Sequence, residues 1–395
     1  MDDTPSDQTD RLLLDLTALP TAAGREWRVA DFIADWVDQR DDLALRTDRA
    51  GNMCIERIAA DESRPPVYIT AHLDHPAFVV DGFVGDSAIR LAFRGGVHDP
   101  YFREAPIDII TADDRIVPAR LVSAGPAQPF RACVAELDTD AAAGELGIAP
   151  GDIARWRMAD PEITGGLLHT HACDDLAAVG AALIAFDRLR SVPSAAHVRL
   201  LFTRAEEVGF VGAIWALKNA TVPAGSHLIL LENSRSFHDS PIGGGPVVRV
   251  GDCLSTFSPT LTAAISKAAE DLEKSRKDTP DPFRWQRRLM PGGACEATAY
   301  QAWGFEAACI CLPLGNYHNM ADLDLVQAND PTAIREARCD REHVAMADIH
   351  GLIDLLVALG SNLAATPSLM DRLEAMYTER ASVLDDVEGF ASGRS

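Results

Sequence analysis

Two short helices are predicted at the start of the chain by the spacing of its apolar residues. Segments 10–19 and 24–40 place apolar side chains three and four positions apart, which is the period of an amphipathic helix, and a proline and a glycine separate them. The next segment, 45–58, is typical of a β-hairpin that turns around Gly51.

Four later segments share one pattern, a short apolar run that ends abruptly in ionisable residues. Apolar runs of this length are typical of strands buried on both faces of a sheet. They are PPVYITAHLDH (65–75), HVRLLFTRAEE (197–207), HLILLENS (227–234) and AACICLPLGNYHN (307–319). Helical patterns occupy 174–190, 208–220, 258–277 and 349–363. This order predicts an α/β fold in which a mixed sheet is sandwiched by helices.

Residues 82–166 have a different pattern, with short β-like runs separated by glycine and proline and no long helix. This pattern predicts a small all-β, barrel-like domain inserted into the α/β domain. The predicted division is 1–81 and 167–370 for the α/β domain, 82–166 for the insert, and 371–395 for a C-terminal tail.

Composition narrows the classes of partner. The chain has 395 residues, enough for a large core, and 59 acidic against 36 basic residues give a net charge of −23. This charge disfavours nucleic acid and anionic membranes as partners, and no apolar run reaches the roughly 18 residues of a membrane span. The acidic N-terminus is unlike a secretory signal, and the eight scattered cysteines contain no CxxC, so we expect a cytoplasmic protein with reduced thiols.

The polar ends of the four apolar runs are the candidate site. Ligands of open α/β sheets bind beyond the carboxyl ends of the strands, so side chains there converge even when they are distant in sequence. A further acidic pair begins the helical segment 174–190. The residues expected to meet in one crevice are His72, Asp74, Asp174, Asp175, Glu206, Glu207, Glu232 and His318.

So many carboxylates cannot stay ionised together unless cations neutralise them. Histidine with aspartate and glutamate is a ligand set suited to Zn²⁺, Co²⁺ or Mn²⁺. One carboxylate can bridge two metal ions that activate water, and another, free of metal, can carry the proton. Each residue alone has an ordinary structural explanation, such as a helix N-cap for Asp174 and Asp175. Together, in this order and all at strand ends, these residues favour a hydrolytic metal site.

The motifs AHLDH, CDD, RAEEVGFVGA, LLEN and GNYHN, in this order, resemble those of co-catalytic metallo-aminopeptidases. More narrowly, they resemble the tetrahedral aminopeptidases, peptidase family forty-two, over nearly the whole chain. The 102 residues between His72 and Asp174 leave room for the inserted domain. Related carboxypeptidases and deacylases instead carry their extra domain after the third ligand segment.

The resemblance implies two divalent metal ions, with Zn²⁺ or Co²⁺ preferred, and Asp174 as the ligand that bridges them. It also implies that Glu206 is the general base and acid and that Asp74 orients His72. The remaining ligands divide into His72 and Glu232 for the first ion, and Glu207 and His318 for the second.

Two positions depart from the family pattern. His75 stands where the family usually has an acidic residue, and Glu296 lies in GGACEA, where a GGTDA-like segment is usual. Both are expected near the substrate. His169 and His171 remain open as extra metal ligands, and the basic run 274–288 is expected to be a solvated helix end or a subunit contact.

These observations predict a dinuclear aminopeptidase that removes N-terminal residues from peptides. One alternative is a deacylase or carboxypeptidase with the same metal pair, acting on N-acyl or C-terminal amino acids. Another is a catalytically silent homologue that serves assembly or binding. The resemblance further implies a homo-oligomer, in that family a tetrahedral dodecamer.

Overall fold

The computed structural model describes residues 5–127, 129–139, 141–362 and 369–384. Its strands are β1 (Leu43–Thr47), β2 (Met53–Arg57), β3 (Val67–His72), β4 (Ala77–Val84), β5 (Ala88–Arg94), β6 (Pro106–Ile110), β7 (Ile116–Ala127), β8 (Arg131–Leu137), β9 (Ile153–Trp156), β10 (Glu162–Thr164), β11 (Leu167–Thr170), β12 (Val198–Thr203), β13 (His227–Arg235), β14 (Val247–Gly251), β15 (Gln286–Leu289), β16 (Glu306–Leu314) and β17 (Glu342–Ala345). Its helices are α1 (Pro5–Thr17), α2 (Trp27–Asp38), α3 (Leu176–Leu189), α4 (Val211–Lys218), α5 (Pro259–Arg276), α6 (Glu296–Ala302), α7 (Leu323–Gln327), α8 (Pro331–Arg335), α9 (Met346–Asn362) and α10 (Leu369–Arg380).

An eight-stranded mixed sheet forms the centre of the molecule, in the order β1-β2-β12-β3-β13-β16-β14-β15. The four middle strands, β12, β3, β13 and β16, are parallel to one another. They are the four apolar runs of the sequence, so the polar ends of those runs lie at one edge of the sheet. The predicted fold class, a mixed sheet between helices with an inserted β barrel, is confirmed.

Helices cover both faces of this sheet. Tyr68 and Ile69 are consecutive on β3 and therefore point to opposite faces. Tyr68 packs in the layer that contains α4 and α6, and Ile69 packs in the layer that contains α1, α3 and α9. Every residue of β3 is buried for this reason. Helix α3 is buried almost all round, as expected of a helix that is apolar on every side.

Two segments differ from their predicted structures. The helix predicted over 208–220 begins only at Val211, because the preceding residues form a turn in which Phe210 adopts a left-handed conformation with φ of 58°. The basic run 274–288 contributes the end of α5, but its last residues form β15, an edge strand of the large sheet. The run is therefore more than a solvated helix end.

The inserted unit is a closed barrel of β4-β5-β8-β7-β6-β9, whose strands run from Ala77 to Trp156. β4 thus begins before residue 82, and β10, β11 and β17 form a separate three-stranded sheet outside the barrel, with β11 in the middle. The division of the chain at 82 and 166 stays a prediction. The predicted tail, 371–395, contains most of α10, and residues 385–395 lie outside the described part of the chain.

Four aromatic rings fill the barrel. Their centroids lie between 4.8 and 6.1 Å apart, and most of the pairs meet edge to face. The rings belong to Phe78, Phe93, Phe102 and Trp156, all of them buried. The barrel therefore has its own core, separate from the two layers of the large sheet.

Among the helices described, none combines the length and the apolar character needed to cross a bilayer.

Replacing Phe78 by alanine is expected to destabilise the barrel by about 3–5 kcal/mol, because it removes a buried ring and leaves a cavity. Phe83→Ala is the matched control on the same strand, since Phe83 is 42% exposed, and it is expected to cost less than 1 kcal/mol. Denaturant midpoints measured on both variants test this. Equal shifts of the denaturant midpoint in the two variants would contradict the assignment of Phe78 to the barrel core.

Candidate metal centre

Each side chain of the predicted site comes from the carboxyl end of a strand or from the turn that follows it. His72 is the last residue of β3, and Glu232 lies in the second half of β13. The other positions are in connections: Asp174 and Asp175 directly before α3, Glu206 and Glu207 between β12 and α4, and His318 in the 3₁₀ turn after β16. The structure brings all of them together.

One group of ligand atoms surrounds the His72 ring. Its Nε2 lies 3.3 Å from Asp174 Oδ1, 3.8 Å from Glu232 Oε1 and 3.9 Å from Glu206 Oε2. These distances are too long for optimal hydrogen bonds and leave room between the atoms. The atoms of His72, Asp174 and Glu232 lie close enough together, with one from Asp175, to hold one cation.

A second group surrounds the His318 ring. Its Nε2 lies 3.4 Å from Asp174 Oδ2 and 3.3 Å from Glu207 Oε1. Asp174 therefore directs one carboxylate oxygen to each histidine, which is the arrangement of a carboxylate that bridges two cations.

Several atoms in these groups are buried without a hydrogen-bond partner. They include His72 Nε2, Asp174 Oδ1 and Glu207 Oε1. Buried polar atoms normally have partners, because an unsatisfied one costs free energy. Nitrogen and carboxylate oxygen are the atoms that Zn²⁺ and Co²⁺ accept as ligands, so the residues present fit divalent ions of this kind.

The pKa values of the carboxylates reflect their crowding. Burial raises the pKa of Glu232 to about 7, and the negative charge of Asp174 contributes to the rise. Burial likewise raises the pKa of Glu206 well above its ordinary value. Burial also acts to raise the pKa of Asp174, but the close approach of the His318 and His72 rings outweighs it and lowers that pKa overall.

Asp74 and Asp175 hold the backbone of the site in place. Asp74 Oδ1 accepts the backbone N–H of Glu206 at 2.9 Å, and its Oδ2 accepts that of Glu207 at 3.1 Å. The Asp74 backbone carbonyl lies 3.1 Å from His72 Nδ1. Asp175 Oδ2 accepts the backbone N–H of His72 at 3.2 Å. Asp74 therefore touches His72 mainly through its main chain, and its carboxylate orients the glutamate pair.

The two residues predicted near the substrate are buried and bonded to neighbouring protein groups. His75 Nδ1 is 2.5 Å from the backbone oxygen of Asp174, and its Nε2 is 3.0 Å from Asn319 Oδ1. Glu296 is buried and accepts a hydrogen bond from Thr203 Oγ1 at 2.9 Å. Neither is among the described residues that line the cavity beside the site. Their contact with substrate stays a prediction.

The two histidines left open as extra ligands lie outside both groups of ligand atoms in the described chain. His169 packs on His343 across paired strands, with ring centroids 5.4 Å apart. His171 is buried, and burial lowers its pKa to about 3. His171 is therefore a neutral side chain, and its backbone carbonyl accepts a hydrogen bond from Asn319.

A cavity of about 430 Å³ opens beside the two groups. Glu232 and His318 line its inner end, and Arg249 lies in its wall. Arg249 is 3% exposed, donates one hydrogen bond to Ser234 Oγ at 3.1 Å, and has no partner for its Nε. The guanidinium of Arg249 is thus a buried positive charge in the cavity wall, and one of its N–H groups has no hydrogen-bond partner.

A protein-family model described as M42 glutamyl aminopeptidase matches residues 51–330. A search of curated protein sequences gives no match to the chain.

Solved structures with the same fold are numerous. An aminopeptidase from the archaeon Desulfurococcus kamchatkensis is 20% identical, with a TM-score of 0.71, covering 91% of this chain and 97% of that one. A TET aminopeptidase from Thaumarchaeota archaeon SCGC AB-539-E09 is 16% identical, with a TM-score of 0.71, covering 92% and 100%. The Pyrococcus horikoshii TET1 peptidase is 19% identical, with a TM-score of 0.68, covering 90% and 99%. At these identities the likeness concerns the fold.

Sequence reasoning missed two residues of the site. Arg249 interrupts the apolar segment VVRVG, and a charge within a buried strand is a signal that could have identified it. Glu342 accepts hydrogen bonds from the backbone of Asp174 and of His318. It stands in a polar segment of the sequence and carries no comparable signal.

The purified chain is expected to bind Zn²⁺ or Co²⁺, about two ions per chain, and to melt at a lower temperature after chelation. Free ion at 100 times its dissociation constant stabilises a folded chain by about 2.7 kcal/mol per site. His72→Ala should lower the ion content, whereas His238→Ala, which alters an exposed histidine, should not. Elemental analysis and thermal unfolding measure this. A chain that stays free of metal after dialysis against either ion would contradict the centre.

Proposed function

Because the chain belongs to the M42 glutamyl aminopeptidase family, we propose that it removes N-terminal residues from peptides with a pair of divalent ions and Glu206 as general base. The family match confirms the resemblance of the sequence motifs, and it makes the chain a metallo-aminopeptidase, a hydrolase that acts on peptide bonds. The observation that carries the dinuclear proposal is the position of Asp174, whose two oxygens face two different histidines.

The first ion is assigned to His72, Asp174 and Glu232, and the second to Asp174, Glu207 and His318. The support is that each group places its ligand atoms within reach of one cation and contains buried atoms that lack hydrogen-bond partners. Zn²⁺ and Co²⁺ suit this nitrogen and oxygen set. When bound, such a pair makes water acidic enough to attack near neutral pH and polarises the scissile carbonyl.

Glu206 is assigned the proton transfer. Its carboxylate is buried beside the first group, 3.9 Å from His72 Nε2, and each of the two ligand sets has three members without it. Asp74 fixes its backbone, and therefore its distance from the reacting atoms. In this position Glu206 accepts the proton of the attacking water and donates it to the leaving amine.

The cavity wall supports a preference for acidic N-terminal residues. A carboxylate on the substrate side chain would pair with Arg249, whose Nε has no partner. Arginine and carboxylate form strong, charge-assisted hydrogen bonds. The preference agrees with the description of the family as glutamyl aminopeptidases.

The same ligand set could serve a deacylase or carboxypeptidase, and the family match favours the aminopeptidase. We also propose that the chain forms a homo-oligomer. The Pyrococcus horikoshii TET1 peptidase, which shares its fold, assembles into a tetrahedron or a large octahedral shell.

Glu206→Gln is expected to lower kcat by about 10²–10⁴-fold while the ion content per chain is unchanged, because the amide cannot accept the proton. Glu207→Gln is the matched control at the next position and is expected to reduce binding of the second ion. Steady-state kinetics and elemental analysis on both variants test this. If Glu206→Gln lost metal but kept its turnover, Glu206 would be the metal ligand and Glu207 the general base.

A substrate panel tests the activity itself. Aminoacyl-anilides with a free amine are expected to be hydrolysed, those of glutamate and aspartate faster than that of lysine, and chelation should abolish turnover until metal is restored. Hydrolysis of N-acetyl amino acids instead would favour the deacylase alternative. A metal-loaded chain that cleaves neither class would favour the silent homologue.

A further inference from the structure

Strand β17 connects the two segments that deliver Asp174 and His318. On one side it pairs with β11, where Glu342 lies opposite Thr170, and the chain reaches Asp174 four residues later. On the other side, His343 exchanges two backbone hydrogen bonds with Gly315, directly after β16 and three residues before His318. The spacing of these two ligand segments therefore depends on β17.

The side chain of Glu342 makes the connection direct. It is fully buried, and its Oε2 accepts the backbone N–H of Asp174 at 2.9 Å while its Oε1 accepts that of His318 at 2.8 Å. The backbone N–H groups of Asp174 and His318 are thus each bound by a different oxygen of the Glu342 carboxylate. Within the described part of the chain, no lysine or arginine forms an ion pair with Glu342.

The turn that carries His318 needs such support. Asn316, His318 and Asn319 all have left-handed backbone conformations, with φ of 53°, 53° and 63°. This region is uncommon for residues with a Cβ, even for asparagine and histidine, which adopt it more often than most, and three such residues stand here within four positions. The Glu342 carboxylate binds the N–H of His318 itself, the central residue of the turn.

We propose that Glu342 is a positioning residue for the second ion of the centre. The inference rests on the proposed function, which assigns Asp174, Glu207 and His318 to that ion. Glu342 holds the backbone of two of these three ligands, whereas the first set shares only Asp174 with it. Loss of the carboxylate should therefore affect the second ion far more than the first.

Glu342→Gln tests this with little change of shape. The amide keeps one acceptor oxygen and places an NH₂ group against the other backbone N–H, so one ligand loses its anchor. In a Co²⁺ titration followed by visible absorption, we expect one ion to bind as in the wild type and the other 10–100-fold more weakly. His318→Ala supplies the reference spectrum of a chain that lacks the second set.

Two further variants test whether Glu342 positions the ligands of the second ion or only stabilises the folded chain. Glu342→Asp keeps both oxygens on a shorter stem and is expected to recover part of the affinity. Glu336→Gln, at an exposed glutamate nearby, is expected to change nothing. The turn should survive the loss of Glu342, because Asn319 stays bonded to His75 and to the carbonyl of His171.

The outcomes distinguish this inference from the function on which it rests. The wild type decides the function: fewer than two ions, or no peptidase activity, would overturn the proposed dinuclear enzyme and the role of Glu342 with it. If the wild type binds two ions, unchanged affinities in Glu342→Gln, or equal weakening of both ions, would overturn the positioning role alone.

Discussion

Buried negative charge is the constraint on which this structure depends. Asp174, Glu206, Glu207 and Glu232 surround two imidazole rings at distances of 3.3 to 3.9 Å, in a region almost closed to water. Carboxylates so placed repel one another and lose hydration, and nearby positive charge compensates for both. The free energy of folding and the binding of cations are therefore coupled at this one point.

The fold meets this constraint by holding the main chain of the site residues in place with hydrogen bonds. Adjacent parallel strands end at one edge, and carboxylates outside the two groups bind the backbone N–H groups of the residues that form the site. Asp74 does this for the glutamate pair, and Glu342 does it for Asp174 and His318. A ligand whose main chain is held in this way loses less conformational freedom when it binds an ion.

The inserted barrel belongs to the site as well as to the fold. Gly96, which follows β5, accepts a hydrogen bond from His318 Nδ1 at 2.6 Å, and the Tyr101 hydroxyl donates to the carbonyl of Ala321 at 2.6 Å. Gly96 also lines the cavity that Arg249 enters from the large sheet. The candidate metal centre thus lies at the edge of the sheet, whereas the cavity beside it is formed jointly with the barrel.

The sequence by itself determined the fold class, the family and most of the polar residues that meet in the site. It could do so because local hydrophobic patterns indicate which strands are buried and where they end. His72, Glu232 and His318 could be identified since each stands in the polar end of an apolar run, where parallel strands end. The tertiary structure alone decided which oxygen of Asp174 faces which histidine, that His75 and Glu296 are buried outside the lining of the cavity, and that Glu342 joins Asp174 to His318. Most of those relations depend on contacts between segments 93 to 244 residues apart, and no local pattern encodes such pairings.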